Sequence, residues 1–260
     1  MTHAAGVELS LAGKGMLVTG ASSGIGRAIA LACAEAGADV VVTYARNRAG
    51  AEETAARIRS LGRRTAVLRA DIADAAGVAA LAPGARAALG RVDVWINNAG
   101  ADILTESARQ LSWTEKLDRL LTVDLRGTVL ASWAAVELMR AQGSPGLILN
   151  MAWDHVLSGG MTGEYAQVFC AAKGGVYRFS RALARSVAPD IRVNVLGPGW
   201  VETAWGAELD PAAKGRITES IPLQRWAKPE EIASAAVFLS CDGASYITGQ
   251  MLMVNGGEVI

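Results

Sequence analysis

Two stretches of this chain combine residue types and spacings that could do chemistry. The first is Thr19-Gly20-Ala21-Ser22-Ser23-Gly24-Ile25-Gly26. Glycines here let a backbone approach a phosphate group, and a helix opening at Gly24 would aim its free N–H groups and positive dipole end at that anion. The spacing is not the usual GxGxxG, and a tight loop without a ligand is the plainer reading of the turn in isolation. The second stretch runs from Trp153 to Lys173. A free imidazole can act as general acid or base near neutral pH, which makes His155, the only histidine outside the N-terminal tail, a candidate, although a structural histidine is the commoner case. Asp154 precedes it, but neighbours in an extended segment point to opposite faces, so no adjacent Asp-His dyad is expected. Tyr165 can donate a proton as a neutral phenol. It lies about 12 Å along a helix axis from Lys173, so the two reach one point only if Tyr165 sits on a loop that folds back. Cys170, next to Phe169, is turned about 100° around the helix and reads as packing.

These residues need elements to hold them. Short β-branched runs at 16–19, 39–44, 64–69, 92–97, 147–151, 191–195 and 251–254 read as strands. Alanine-rich helical patterns fill the gaps at 24–36, 49–61, 74–89, 113–141, 164–187 and 230–240, with Pro83-Gly84 kinking or splitting the third. Such alternation specifies an α/β fold: a single Rossmann-type, doubly wound domain over residues 1–260, with an approximately seven-stranded parallel sheet and helices on both faces. A binding crevice belongs at the carboxyl ends of the strands, where strand order reverses. A substrate loop is expected around 200–220.

Composition excludes several partners. Lysine plus arginine and aspartate plus glutamate number 25 each, so no net field favours nucleic acid or anionic lipid. No uncharged run approaches the roughly 18 residues that span a bilayer, and no basic start precedes an apolar run, so no membrane and no export are expected. Cys33, Cys170 and Cys241 are far apart with no CxxC spacing; no metal site is expected, and a reducing cytoplasm fits them.

Placed between a strand and a helix, the glycine turn resembles the TGxxxGxG motif of the short-chain dehydrogenase/reductase family. Similarity continues through Asn97-Asn98-Ala99-Gly100, through Asn194, Pro198-Gly199 and Thr203, and through Ile221-Pro222-Leu223, Pro229-Glu230-Glu231-Ile232, Tyr246-Ile247-Thr248-Gly249-Gln250 and Asn255-Gly256-Gly257. The resemblance implies a nicotinamide dinucleotide held by Gly20, Ser22, Ser23, Gly24, Ile25 and Gly26. Asp71 and Ile72 would lie at the adenine, with Asn98, Ala99 and Gly100 alongside. Lys173 would hold the nicotinamide ribose, and Pro198, Gly199 and Thr203 the nicotinamide. At the end of the second strand a carboxylate would favour NAD, whereas arginine favours NADP. Tyr44 stands there, followed by Arg46 and Arg48, so NADP(H) is expected ahead of NAD(H). Two arginines that merely solvate a helix start are the alternative.

The catalytic positions depart from the family, which ordinarily combines asparagine, serine, tyrosine and lysine. Only Lys173 matches. Phe169 stands in the tyrosine's place and Asp124 in the asparagine's. Counting on from Asn150 puts Trp153 at the serine position, while counting back from position 169 gives Val156. The mismatch implies roughly three extra residues in this loop. Asp124 either pairs with Lys173 or caps a local backbone group. Trp153, Phe169, Trp200 and Trp205 would frame a pocket for an apolar or aromatic small molecule. Three readings follow: an NADP(H)-binding enzyme of this family with a nonstandard proton donor drawn from Tyr165, His155 or Asp124; a non-redox isomerase, lyase or cyclase on the same scaffold; or a noncatalytic partner subunit of an active homologue. The family also pairs through its long helices, which implies a homodimer or homotetramer, or a hetero-oligomer with that homologue.

Overall fold

Near-continuous apolar runs such as Asp39-Val-Val-Val-Thr-Tyr44 suit strands covered on both faces. The computed structural model describes residues 9–158, 161–207 and 209–260, without the side chains of residues 106, 205 and 207. Its strands are β1 (Gly15–Val18), β2 (Asp39–Tyr44), β3 (Thr65–Arg69), β4 (Val94–Asn97), β5 (Gly146–Met151), β6 (Ile191–Pro198) and β7 (Met251–Val254). They form one seven-stranded sheet in the order β3-β2-β1-β4-β5-β6-β7, parallel throughout. Order reverses between β1 and β4, and the crevice opens there.

Helices cover both faces. On one, α1 (Gly24–Glu35) packs beside α10 (Pro229–Ser240), burying Ile29, Val40, Leu149, Ile232 and Val237. On the other, α4 (Leu81–Leu89), α6 (Thr128–Gln142) and α7 (Glu164–Val187) enclose Leu81, Trp95, Val136 and Leu183. Polar residues fix several starts. Asn47 accepts from the Gly50 N–H to cap α2 (Arg48–Ser60), Asp74 caps α3 (Ala75–Ala79), and Ser112 forms a capping box with Glu115 on α5 (Trp113–Leu120). Among the described residues no helix is long and apolar enough to cross a membrane.

Three expectations need correction. The helix expected over 74–89 is divided at Ala80, so Pro83 falls in the first turn of α4, where its missing N–H costs least. The run expected over 113–141 is interrupted by a π-helical segment, Leu121–Gly127, between α5 and α6. The expected loop at 200–220 carries α8 (Ala204–Ala207) and α9 (Pro211–Ser220), the latter started by an Asp210 cap and Pro211.

Candidate active site and cofactor cradle

The glycine turn after β1 is held by backbone and small polar groups. Gly20 has φ +66°, and an added Cβ would stand 2.9 Å from the Ala99 Cα. A Cβ on Gly26 would meet the Gly20 carbonyl oxygen at 2.3 Å and Asn98 Nδ2 at 2.4 Å. Thr19 Oγ1 accepts from the Asn98 and Ala99 N–H groups at 2.9 and 3.0 Å, and Asn98 Nδ2 donates to the Thr19 carbonyl at 3.1 Å. Arg27 reaches the Ser22 carbonyl at 2.8 Å. Gly24, at φ +53°, faces open space. Ser23, the N-cap of α1, makes no side-chain cap, and the first turn holds no acidic residue. This positive, open helix start fits a pyrophosphate.

At the adenosine end, Ile72 is buried and Asp71 is exposed, its Oδ1 accepting from the Ala73 N–H at 3.0 Å. Tyr44 is buried at the end of β2, so its ring packs in the core. Arg46 and Arg48 are exposed. Arg48 opens α2 and lies 3.8 Å from Glu52, which leaves Arg46 as the arginine with no acidic partner among the described residues.

Lys173 and Asp124 meet beneath the crevice. The π segment ends at Gly127, whose close approach to the Ile72 carbonyl leaves no room for a side chain, and Gly175 brings α7 against Leu125. Asp124 is 1% exposed. Its Oδ2 lies 2.8 Å from Lys173 Nζ, and its Oδ1 accepts from the Ala101 N–H at 2.7 Å. The pairing with Lys173 is therefore present, and the backbone group that Asp124 caps lies on the distant segment after β4 and not locally. Lys173 Nζ also reaches the Met151 carbonyl at 3.4 Å.

Above this pair lies a cleft of about 740 Å³. Ile25, Lys173, Gly199 and Thr203 line it together with the apolar Trp153, Phe169, Trp200, Leu104 and Val201, with Arg109 and Asp210 at polar positions. Trp153 and Phe169 rings stand 5.9 Å apart. The side chain of Trp205 lies outside the described residues. Pro198 ends β6, and Asn194 ties that strand to the turn before β7 through the Ile247 carbonyl and the Gln250 N–H.

Tyr165 also lines the cleft, but as the second residue of α7 it does not fold back toward Lys173. Its hydroxyl lies 3.4 Å from Lys116 Nζ and its ring 4.7 Å from that of Trp113. The buried Lys116 was not legible as a site residue, because nothing local marks it. His155 departs further from expectation: it is 4% exposed, absent from the cleft lining and covered by Trp153, with ring centroids 4.8 Å apart. Asp154–Val156 form a 3-10 turn, not an extended segment, so Asp154 and His155 approach each other after all, with Glu258 beside them. Burial pushes the Asp154 carboxyl above the usual carboxylate range, against the His155 charge and an Asn255 hydrogen bond.

A further polar network went unread. Asn97 Nδ2 donates to Ser132 Oγ at 3.1 Å and to Asn150 Oδ1 at 2.9 Å, and Asn150 Nδ2 donates to Ser180 Oγ at 2.9 Å. These buried groups lock β4 and β5 to α6 and α7.

The chain matches the family described as enoyl-(acyl carrier protein) reductase over residues 20–258. It is 35% identical over 253 residues to the 3beta-hydroxysteroid dehydrogenase 1 of Eggerthella lenta, covering 96% of this chain and 95% of that one. Among solved structures it resembles a 7 alpha-hydroxysteroid dehydrogenase complexed with NADH and 7-oxo glycochenodeoxycholic acid, with a TM-score of 0.87, 30% identity, and 97% and 96% of the two chains covered. A short chain dehydrogenase from Burkholderia cenocepacia in complex with NADP matches with a TM-score of 0.84, 30% identity, and 95% and 98% coverage.

Proposed function

Starting from a chain that belongs to the short-chain dehydrogenase/reductase family, we propose an oxidoreductase that binds NADP(H) ahead of NAD(H) and acts on an apolar or aromatic small molecule without the usual tyrosine. One observation carries the reading: an aromatic-walled cleft of about 740 Å³ opens directly onto Ile25, Lys173, Gly199 and Thr203. The glycine turn would hold the pyrophosphate, and Arg46 a ribose phosphate. The dinucleotide would supply hydride exchange. Lys173, paired with Asp124, would bind the nicotinamide ribose at the cleft floor, while the Tyr165 hydroxyl, which accepts from Lys116, would offer its own proton to a substrate. Hydroxysteroid-sized alcohols and ketones suit the apolar wall, in keeping with the steroid dehydrogenases named above.

The test is a tryptophan-fluorescence titration with NADPH and NADH, followed by turnover on a panel of apolar ketones and alcohols. NADPH binding tighter by tenfold or more, with turnover abolished in Lys173→Met, supports the reading. Equal affinities would remove the Arg46 assignment. The Asp124–Lys173 pair also favours a second reading, a chain that binds dinucleotide without turnover and partners an active homologue through α6 and α7; tight NADPH binding with no turnover alone, restored on mixing with a homologue, would select it. A non-redox isomerase, lyase or cyclase would convert substrate with no change in nicotinamide absorbance.

A further inference from the structure

Behind Trp153, two carboxylates and an imidazole are buried together with no lysine or arginine paired to them among the described residues. Asp154 is 0% exposed. The His155 and Glu258 side chains are 5% and 10% exposed. One ligand atom from each of the three lies within 4.8 Å of the others. Neither ring nitrogen of His155, nor Glu258 Oε2, has a hydrogen-bond partner. Folded proteins seldom leave such buried polar atoms bare, and buried carboxylates need a cation or a proton nearby.

We propose that Asp154, His155 and Glu258 bind one divalent transition-metal ion of the zinc class. An imidazole with two carboxylates is a donor set for zinc rather than for magnesium or calcium, and the double charge of the ion balances the two carboxylates. Zinc bonds of about 2.0–2.2 Å place neighbouring tetrahedral ligands about 3.4 Å apart. His155 Nε2 and Glu258 Oε1 are 3.5 Å apart. The ligands are themselves oriented by outer donors: Asn255 Nδ2 to Asp154 Oδ2 at 3.1 Å, and Trp200 Nε1 and Ser220 Oγ to Glu258 Oε1 at 2.9 and 3.3 Å. A Cβ at position 199 would stand 2.8 Å from Asn255 Cβ and 3.2 Å from Asp154 Oδ2, so Gly199 makes room for the C-terminal segment to reach the turn after β5. The role is structural. Trp153 lines the cleft while its ring packs on His155, so the ion would clamp the cleft wall to the C-terminal segment and leave the reacting atoms to other groups.

The test uses the full chain, purified without an affinity tag and stripped with chelator. Zinc chloride is titrated against a competing fluorescent chelator, metal content is counted by mass spectrometry, and the stripped protein is loaded with cobalt for its visible spectrum. One zinc per chain is expected, with Tm raised by roughly 5 °C or more at a hundredfold excess over Kd. Glu258→Gln and His155→Gln should each weaken zinc binding at least tenfold, and the cobalt bands of low-coordinate nitrogen and oxygen ligation should change in His155→Gln. Should His155→Gln fail to fold, Glu258→Gln near the chain end carries the test alone. Absence of saturable zinc binding below about 100 µM, or unchanged affinity in the variants, overturns the proposal. So does a parent protein that zinc leaves no more stable while Glu258→Gln exceeds it in stability with zinc present, the mark of a cluster that holds protons instead. These readouts are independent of dinucleotide binding and turnover, so this site and the proposed activity stand or fall separately.

Discussion

The half of the sheet that starts at β1 and the half that ends at β7 solve different problems. Around the glycine turn, geometry rests on main-chain groups: Gly20 and Gly26 admit a close neighbour, Gly24 leaves open space, and Thr19 and Asn98 brace the turn through bonds between side chain and backbone. Around β5 and β6, side chains from distant elements decide the site: Asp124 and Lys173 pair from the π segment and α7, while Trp153 and Phe169 fill the cleft wall. A backbone-built site tolerates little change in residue type. A side-chain-built site can be rebuilt position by position without disturbing the sheet.

The largest expected effect breaks the second half. Asp124→Ala leaves the Lys173 ammonium without its buried partner and should cost about 3 kcal/mol of stability. Lys173→Met should cost a comparable amount, and the double variant clearly less than the sum. Urea unfolding of the three proteins measures the coupling; strictly additive costs would show that the 2.8 Å contact carries no energy.

In the first half, Gly26→Ala should weaken dinucleotide binding at least tenfold, about 1.4 kcal/mol, because the new methyl collides with the Gly20 carbonyl and Asn98. Fluorescence titration alongside Tm separates a lost cradle from a lost fold. Unchanged affinity would mean that the turn is not where the dinucleotide sits.

A smaller effect belongs to the dry core of that half. Burial pushes the Cys33 thiol up to about 12 from 9.0. The folded state keeps the proton longer than the unfolded chain, so this stabilisation is complete below pH about 9 and is lost as pH rises toward 12. Stability measured at pH 8 and pH 10.5 should decline more in the parent than in Cys33→Ala. Equal declines would argue against a thiol held neutral by burial.

The smallest expected change is Phe169→Tyr. Restoring one hydroxyl beside Trp153, with Lys173 already paired to Asp124, should alter ketone turnover less than about twofold, since groups that act as a unit are non-additive. Robust new reductase activity would show that the second half had lost a single hydroxyl and was otherwise intact.

Strand and helix periodicity in the sequence specified the parallel sheet and the glycine turn, because both depend on contacts close along the chain: apolar runs of strand length, and glycines within one loop. The placing of Phe169 and Lys173 one turn apart on one helix was equally legible. Local pattern misled where geometry depends on neighbours. Asp154 and His155 would point apart only in an extended segment, yet residues 154–156 form a 3-10 turn, and the helix through Asp124 hides a π segment that no periodicity announces. Tertiary structure alone decided the rest. Lys116 meets Tyr165, Asn97 meets Ser132 and Ser180 through Asn150, and Glu258 crosses the end of β6 to join Asp154 and His155. Each union pairs residues tens of positions apart, and the chain bears the cost of burying their polar atoms only because packing of the sheet and helices has already brought them together.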